Sequence, residues 1–271
     1  MGEIRVSRTP KLGKVFGHPS RGCKRPLRVE RHVGIRYTGM NMTQNILSVQ
    51  IEYYKRRAEE YDEWFLRQGR YDYGPELNKQ WFAEVALVRQ ALHTFAPHGH
   101  VLELACGTGL WTQELARYTQ SITALDSSAE MLEINRSRLN NAEVRFVQAD
   151  VLKWCPDRSY EVVFFSFWLS HVPPDRFGDF WALVRDCLAP GGRVFFIDSL
   201  YEPTTTARDQ PLGKPEAVTM MRRLNDGRQY QIIKIFYQPE KLGKQLAELG
   251  WQVVVNATPR YFLYGMGGVC K

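Results

Sequence analysis

Short apolar runs alternate with amphipathic segments along the middle of the chain, and this alternation limits the folds that it can adopt. Strands are expected at 101–105, 121–126, 143–148, 160–167 and 192–198, and helices at 110–118, 128–139 and 174–188. Strands that alternate with helices favour a parallel sheet with helices on both faces. The sequence therefore predicts a doubly wound α/β fold.

The segments on either side of this block follow other patterns. Apolar residues recur at helical spacing over 51–65 and again over 77–95, which predicts two helices that form an N-terminal lid. Residues 200–237 are read as an insertion that ends in a strand-like stretch, and a helix at 239–249 and strands at 251–257 and 260–264 close the chain. We therefore divide the chain into a leader, a lid and a ligand-binding domain: 1–42, 43–98 and 99–271.

The net charge of +7 belongs to the leader. Residues 1–39 hold ten Lys/Arg and two Asp/Glu, whereas residues 40–271 hold 26 and 27. The leader is expected to be disordered, either an upstream extension, a basic arm or an organellar import signal. Outside it nothing indicates a nucleic-acid partner, and the longest apolar run, 162–169, is too short to cross a membrane. We expect a cytoplasmic protein of unknown oligomeric state.

The five cysteines are scattered without a C-x-x-C pair or metal-ligand spacing, so neither a disulfide framework nor a bound metal is expected.

The most informative loop is "VLELACGTGLWT", residues 101–112, where two glycines follow an apolar strand. A dinucleotide fingerprint needs a third glycine or alanine where Thr112 stands, and a phosphate-binding P-loop needs a lysine that is absent. NAD and nucleoside triphosphates are therefore disfavoured as the ligand.

Three acidic residues lie at or near the ends of the first three strands. Asp126 can accept hydrogen bonds from the two hydroxyls of a ribose, and Asp150 from an exocyclic amine. Glu103 precedes the glycine loop, whose backbone near a helix start can receive a carboxylate. Ser127 and Glu130 are read as a capping box that starts the next helix. Ribose, amine and carboxylate together describe S-adenosylmethionine.

These blocks resemble the class I, Rossmann-like, S-adenosylmethionine-dependent methyltransferases. "VLELACGTG" resembles the glycine loop of that family, "ITALDSSAEML" its ribose segment, "VRFVQADVL" its adenine segment, and "YEVVFFSFWLSHVPP" and "LAPGGRVFFIDS" its fourth and fifth strands. The resemblance covers about 101–199. It implies a seven-stranded, mostly parallel sheet with an antiparallel last strand, and S-adenosyl-L-methionine as the cofactor.

The resemblance also implies a set of cofactor-binding residues: Tyr53, Arg57, Glu103, Ala105, Gly107, Gly109, Asp126, Ser127, Met131, Asp150, Val151, Ser166 and Phe167. Tyr53 and Arg57 are candidates for the methionine carboxylate, and Tyr61 is a weaker one. Tyr54, Tyr61 and Phe65 also fit a packing stripe.

His171 follows the fourth strand and is either a general base or a residue that fixes its loop. Arg222, Arg223 and Arg228 either meet an acidic group of the substrate or form a solvated basic surface. The expected activity is methyl transfer to the O, N or C atom of a small, partly apolar molecule. An RNA or protein methyltransferase and a non-catalytic cofactor-binding regulator are the alternatives.

Overall fold

The computed structural model describes residues 37–139 and 143–270, with side chains from residue 45 onward. Residues 1–36 of the expected leader, including its predicted disorder, lie outside the described residues. Helix α1 spans Tyr37–Arg56 and therefore begins before the expected boundary at residue 43. Among the described residues, no helix combines the length and apolar character that a membrane span requires.

A seven-stranded sheet forms the centre of the molecule, in the order β3-β2-β1-β4-β5-β9-β8. The first five strands in this order, β3, β2, β1, β4 and β5, are parallel to one another, and β9 runs antiparallel to both β5 and β8. The prediction of a mostly parallel sheet with an antiparallel last strand is confirmed. The strands are β1 (His100–Leu104), β2 (Ser121–Asp126), β3 (Val144–Gln148), β4 (Tyr160–Ser166), β5 (Leu188–Ser199), β8 (Trp251–Ala257) and β9 (Phe262–Val269).

Helices cover both faces of this sheet, because alternate residues of the buried strands are apolar on each side. One core cluster joins Leu104 and Phe165 of the sheet to Trp181 and Leu242 of two helices, and the other joins Val101 and Phe164 to helices on the opposite face. The predicted doubly wound arrangement is therefore confirmed. The helices are α2 (Tyr61–Phe65), α3 (Pro75–Phe95), α4 (Leu110–Leu115), α5 (Ala129–Arg138), α6 (Phe177–Cys187) and α7 (Pro239–Glu248).

The insertion after β5 contains a separate antiparallel pair, β6 (Thr219–Arg223) and β7 (Gln229–Ile233). The sequence predicted β7 with a longer extent, but β6 was missed because its residues, TMMRR, show no alternation of apolar and polar types. Tyr53 of α1 packs against Leu224 and Ile232 of this hairpin. The hairpin and α1 thus form one wall beside the carboxyl ends of the sheet strands.

The helix predicted over 51–65 is broken at Arg57. Helix α1 ends at Arg56, a single 3-10 turn covers Ala58–Glu60, and α2 starts at Tyr61. Arg57 lies at this break with its side chain buried.

Candidate active site

A cavity lies at the carboxyl ends of β1, β2 and β4. Strand β1 is the point where the order of winding reverses, since the chain proceeds to β2 and β3 on one side and returns to β4 on the other. Ligands of open α/β sheets bind at such a point. We refer to this space as the first cavity. Its lining includes these residues that the sequence selected: Ala105, Gly107, Asp126, Ser127, Met131, Asp150, Val151, Ser166, Phe167 and His171.

Asp126 ends β2 at the wall of the first cavity. Its Oδ2 accepts a hydrogen bond from the Gly107 backbone N–H at 2.9 Å, and its Oδ1 accepts one from the Ser128 N–H at 2.9 Å. Burial raises the pKa of Asp126, and these backbone N–H groups oppose that rise. Each carboxylate oxygen keeps a further lone pair with which it can accept a hydrogen bond from a hydroxyl group.

The cap of α5 differs from the prediction. Ser128, not Ser127, is the N-cap residue, and its Oγ accepts a hydrogen bond from the Met131 N–H at 3.2 Å. The Ser128 hydroxyl also lies 3.0 Å from Glu130 Oε2. Ser127 is therefore free of the capping role and lines the cavity beside Asp126.

The loop between β1 and α4 has left-handed backbone at Ala105, Gly107 and Gly109, with φ of +52°, +54° and +89°. An added Cβ at Gly107 would meet only Tyr61, at 4.0 Å, so the backbone there is open to the cavity. At Gly109 a Cβ would lie 2.3 Å from Asn135 Oδ1 of α5. Gly109 does not line the first cavity, and its position indicates close packing of the loop on α5.

Asp150 and Val151 follow β3 on the other side of the cavity. Asp150 Oδ1 accepts a hydrogen bond from the Leu152 N–H at 3.0 Å, and its Oδ2 lies 3.2 Å from Lys153 Nζ. Val151 is buried, with 3% of its surface exposed. A carboxylate acceptor beside a buried apolar side chain suits a flat ring that carries an amino group.

Glu103 does not line the cavity. It is 1% exposed on β1, and neither carboxylate oxygen has a hydrogen-bond partner within the described part of the chain. Burial raises the pKa of Glu103 to about 8. Glu103 is therefore a buried, protonated acid beneath the glycine loop near neutral pH.

The two candidates on the first helix occupy other places than the sequence suggested. Tyr53 is buried against the hairpin, with its ring centroid 5.6 Å from that of Tyr230, and does not line the first cavity. Tyr54, which the sequence assigned to packing, lines the first cavity together with Gln50. Successive helical residues differ by about 100° in direction, so neighbouring tyrosines cannot both face the site.

A second cavity adjoins the first. Tyr54, Tyr61, Phe167 and His171 line both cavities and form their common wall. The second cavity is also lined by Arg57, Trp64, Tyr71, Ser199, Thr205, Thr206, Arg222 and Lys234. The sequence selected Arg57, together with Tyr53, as a candidate for the methionine carboxylate. In the structure Arg57 lines the second cavity and not the first.

His171 is held by hydrogen bonds on both ring nitrogens. Nδ1 lies 2.6 Å from the carbonyl oxygen of Ile233, which can only accept, so Nδ1 carries the proton. Nε2 then accepts the hydrogen bond from the Tyr54 hydroxyl at 2.7 Å. Burial, and next the positive charge of Lys234, hold the pKa of His171 well below its ordinary value. The imidazole is neutral, and its only lone pair points to Tyr54.

A buried polar cluster supports the back of the second cavity. Lys234 Nζ lies 2.8 Å from Ser170 Oγ and 3.2 Å from Asp198 Oδ1. Asp198 also accepts hydrogen bonds from the backbone N–H groups of Ser170 and Ser199, both at 2.8 Å. The sequence reading missed Lys234, although a single lysine within the apolar stretch "YQIIKIFY" is a signal that could have found it.

Gln50 of α1, which the sequence analysis also missed, forms hydrogen bonds with two other segments of the chain. Its Nε2 donates to the His171 carbonyl at 3.2 Å, and its Oε1 accepts from the Ile233 N–H at 3.0 Å. Helix α1, the loop after β4 and strand β7 therefore meet at one buried point. Within residues 37–139 and 143–270, no three His, Cys, Asp or Glu side chains are grouped so that they could hold a metal ion.

Comparison with known proteins gives consistent matches. The family described as "Methyltransferase domain" matches residues 101–192. The chain is 37% identical over 143 residues to a trans-aconitate 2-methyltransferase of Acidovorax sp. (strain JS42), which covers 49% of this chain and 53% of that protein. It is 33% identical over 103 residues to a ubiquinone biosynthesis O-methyltransferase of Cronobacter sakazakii (strain ATCC BAA-894), covering 35% and 40%. The chain thus spans about half the length, or less, of these curated relatives.

Solved structures match over a longer span. The chain is similar to a "DhpI-SAH complex structure", with a TM-score of 0.68 and 36% identity over 84% of this chain and 98% of that one. A "DhpI-SAM-HEP complex" gives a TM-score of 0.66 and 38% identity, with coverage of 82% and 96%. These alignments extend beyond residues 101–192, the part of the chain that the methyltransferase family matches.

Proposed function

The chain belongs to the class I S-adenosylmethionine-dependent methyltransferases, and on that premise we propose that it methylates a small molecule held in the second cavity. S-adenosyl-L-methionine is the cofactor of this family, and the two similar solved structures are described as SAH and SAM complexes. The observation that carries the proposal is the common wall of the two cavities. A donor in one and an acceptor in the other would meet beside Tyr54, Phe167 and His171.

The first cavity fits the cofactor. The Asp126 carboxylate is oriented by two backbone N–H groups at the end of β2, as a ribose acceptor should be. Asp150 supplies an acceptor and Val151 an apolar face for the adenine, and the open backbone at Gly107 lets the ligand approach the loop. When bound, the cofactor supplies a methyl group on a positively charged sulfur, which is already a strong electrophile.

The protein contributes to such a reaction mainly by positioning the two reactants and by excluding water from them. An in-line displacement needs the acceptor atom at near-contact distance, and fixing this geometry supplies much of the acceleration. Phe167 has a left-handed backbone, with φ of +53°, directly after β4. Its N–H donates to the Ile197 carbonyl at 2.7 Å, and its ring lies edge-on to Trp64. This rigid arrangement fixes one wall of the transfer position.

His171 and Tyr54 form the opposite wall. Burial raises the pKa of Tyr54 well above its ordinary value, so the phenol keeps its proton and remains a donor to Nε2. An acceptor with a proton to lose would reach His171 only by replacing the Tyr54 hydroxyl on Nε2 or by passing its proton through that hydroxyl. His171 is thus proposed as a base that Tyr54 holds neutral and oriented.

The experiment that tests the function uses S-adenosylmethionine with a deuterated methyl group. The protein is incubated in separate reactions with a panel of small acids, phenols and amines, with RNA and with protein, and mass spectrometry identifies products that gain the labelled methyl group. Label found only in RNA or protein would contradict a small-molecule acceptor.

Cofactor placement is tested separately by calorimetry with S-adenosylhomocysteine. Asp126→Ala should weaken binding by about 1.5 to 3 kcal/mol, the range for hydrogen bonds to a charged group. Asp157→Ala is the matched control, because Asp157 is exposed and pairs with Arg145 away from both cavities. Equal affinity of Asp126→Ala and the wild type would contradict the ribose assignment.

A further inference from the structure

The second cavity is lined by positive charge. Arg57, Arg222 and Lys234 are among its walls, and no Asp or Glu of the described residues is. The sequence left open whether Arg222 meets an acidic group or belongs to a solvated surface. The structure places Arg222 on the wall of the second cavity, with its side chain partly buried.

Arg57 has no carboxylate partner among the described residues. It is 8% exposed, and its Nη2 donates to the Tyr71 hydroxyl at 3.2 Å. The rings of Tyr53, Tyr61 and Tyr71 surround the guanidinium at 5.7, 5.0 and 5.8 Å. These rings stabilise a cation but carry no charge. The nearby acid Glu60 uses its Oε2 to accept the backbone N–H of Asn225 instead.

Arg222 is in a similar position. Its Nη1 donates to the Thr206 hydroxyl, and it forms no ion pair with a described carboxylate. Lys234 differs, because Asp198 balances its charge, yet the ammonium has a third N–H beyond those directed to Asp198 and Ser170. Two arginines that form no ion pair with a described carboxylate thus line the second cavity.

A buried cation without a counter-charge carries a desolvation cost, which an anionic ligand would offset. Guanidinium groups present planar pairs of N–H donors that match the oxygens of a carboxylate or phosphate. The hydroxyls of Tyr71, Ser199 and Thr206 add neutral donors on the same walls.

We propose that the acceptor is a small acid, and that Arg57 and Arg222, with Lys234, bind its carboxylate, phosphate or similar oxyanion. This rests on the proposed function, because it assigns the substrate class of the same site. The anion would fix the molecule so that its acceptor atom faces the common wall of the two cavities. Specificity for acids would then reside in the insertion after β5 and in the helix break at Arg57, outside residues 101–192 that the methyltransferase family matches.

The experiment measures anion binding to the full chain loaded with S-adenosylhomocysteine. Inorganic phosphate and malonate are the probes, malonamide is the neutral analogue, and calorimetry is carried out at constant ionic strength. We expect both anions to bind and malonamide not to bind. Arg222→Gln should weaken anion binding about tenfold or more, the effect of losing one charge-assisted contact, and Arg222→Lys should recover part of it. Arg57→Gln should act in the same direction.

Arg117→Gln is the matched control, since Arg117 is exposed on the surface and lines neither cavity. Equal binding of malonate and malonamide, or unchanged anion affinity in Arg222→Gln, would overturn the proposal. Because Arg57→Gln removes a buried side chain, the affinity of this variant for S-adenosylhomocysteine is measured to check that it still folds. If that affinity is lost, the test depends on Arg222→Gln, since Arg222 is only partly buried. Failure of the wild type to bind S-adenosylhomocysteine would instead contradict the proposed function.

Discussion

Replacing Glu103 with glutamine should change how the stability of the protein depends on pH. Glu103 is almost completely buried on β1, and neither carboxylate oxygen has a hydrogen-bond partner among the described residues. Burial raises the pKa of its carboxyl from 4.5 to about 8 in the folded chain. Glutamine has nearly the same shape and no titrating proton, so the substitution isolates the cost of the charge.

The sign follows from proton binding in the two states. Below pH 4.5 the carboxyl is protonated in both the folded and unfolded chain, and it makes no difference to stability. Above that pH the unfolded chain releases the proton while the folded chain keeps it, so stability is lost as the pH rises toward about 8. At about 1.4 kcal/mol per pKa unit, the loss between pH 5 and pH 8 is about 3 kcal/mol.

The assay is urea unfolding of the wild type and Glu103→Gln at pH 5 and at pH 8. The free energy of unfolding of the variant, relative to the wild type, should rise by about 3 kcal/mol between the two pH values. Glu133→Gln is the control, because the Glu133 side chain is 75% exposed. A difference between Glu103→Gln and the wild type that is the same at both pH values would refute the reasoning. Calorimetry with S-adenosylhomocysteine on the same variant tests the remaining prediction that Glu103 contributes to cofactor binding.

Three further substitutions test the site and its support. His171→Ala should lower turnover and leave the affinity for S-adenosylhomocysteine nearly unchanged, and a variant that works at full rate would remove His171 as the base. Tyr54→Phe removes the donor to His171 Nε2, so the pKa of His171 measured by NMR should rise; an unchanged pKa would contradict the assigned tautomer. Gly109→Ala should destabilise the fold by about 2 kcal/mol in thermal unfolding, because its Cβ would lie 2.3 Å from Asn135 Oδ1. Gly243→Ala in α7, where an added Cβ meets nothing within 4 Å, is the control and should not destabilise; equal effects of the two would contradict the packing argument.

Much of the fold and part of the site could be read from the sequence, because both depend on local order along the chain. Asp126 and Asp150 follow apolar strands directly, and parallel strands bring their carboxyl ends to one edge of a sheet. The left-handed turn at Gly107 is likewise a local property that glycine permits. These residues were therefore expected at one cavity, and the structure places them there.

Other candidate residues lie where the sequence did not place them, because the direction of their side chains depends on contacts far along the chain. Tyr53 and Tyr54 are equivalent by composition, and only the packing of α1 against the hairpin turns Tyr54 toward the cavity. Gly109 matches the family motif but packs against Asn135, a contact made only when α4 and α5 lie side by side. Residue type and spacing do not contain that information.

The sequence by itself determined the order of strands and helices, the family and the acidic residues at the strand ends, since periodicity and turn chemistry act over a few residues. Only the tertiary structure brought Arg57, Arg222 and Lys234, from a helix break, a missed strand and the end of a hairpin, to one cavity. Their distance along the chain is large, and their proximity results from the burial of α1 and the hairpin beside the sheet. The chemistry of the proposed acceptor site is therefore a property of the folded chain, whereas much of the proposed cofactor site is already visible in its linear order.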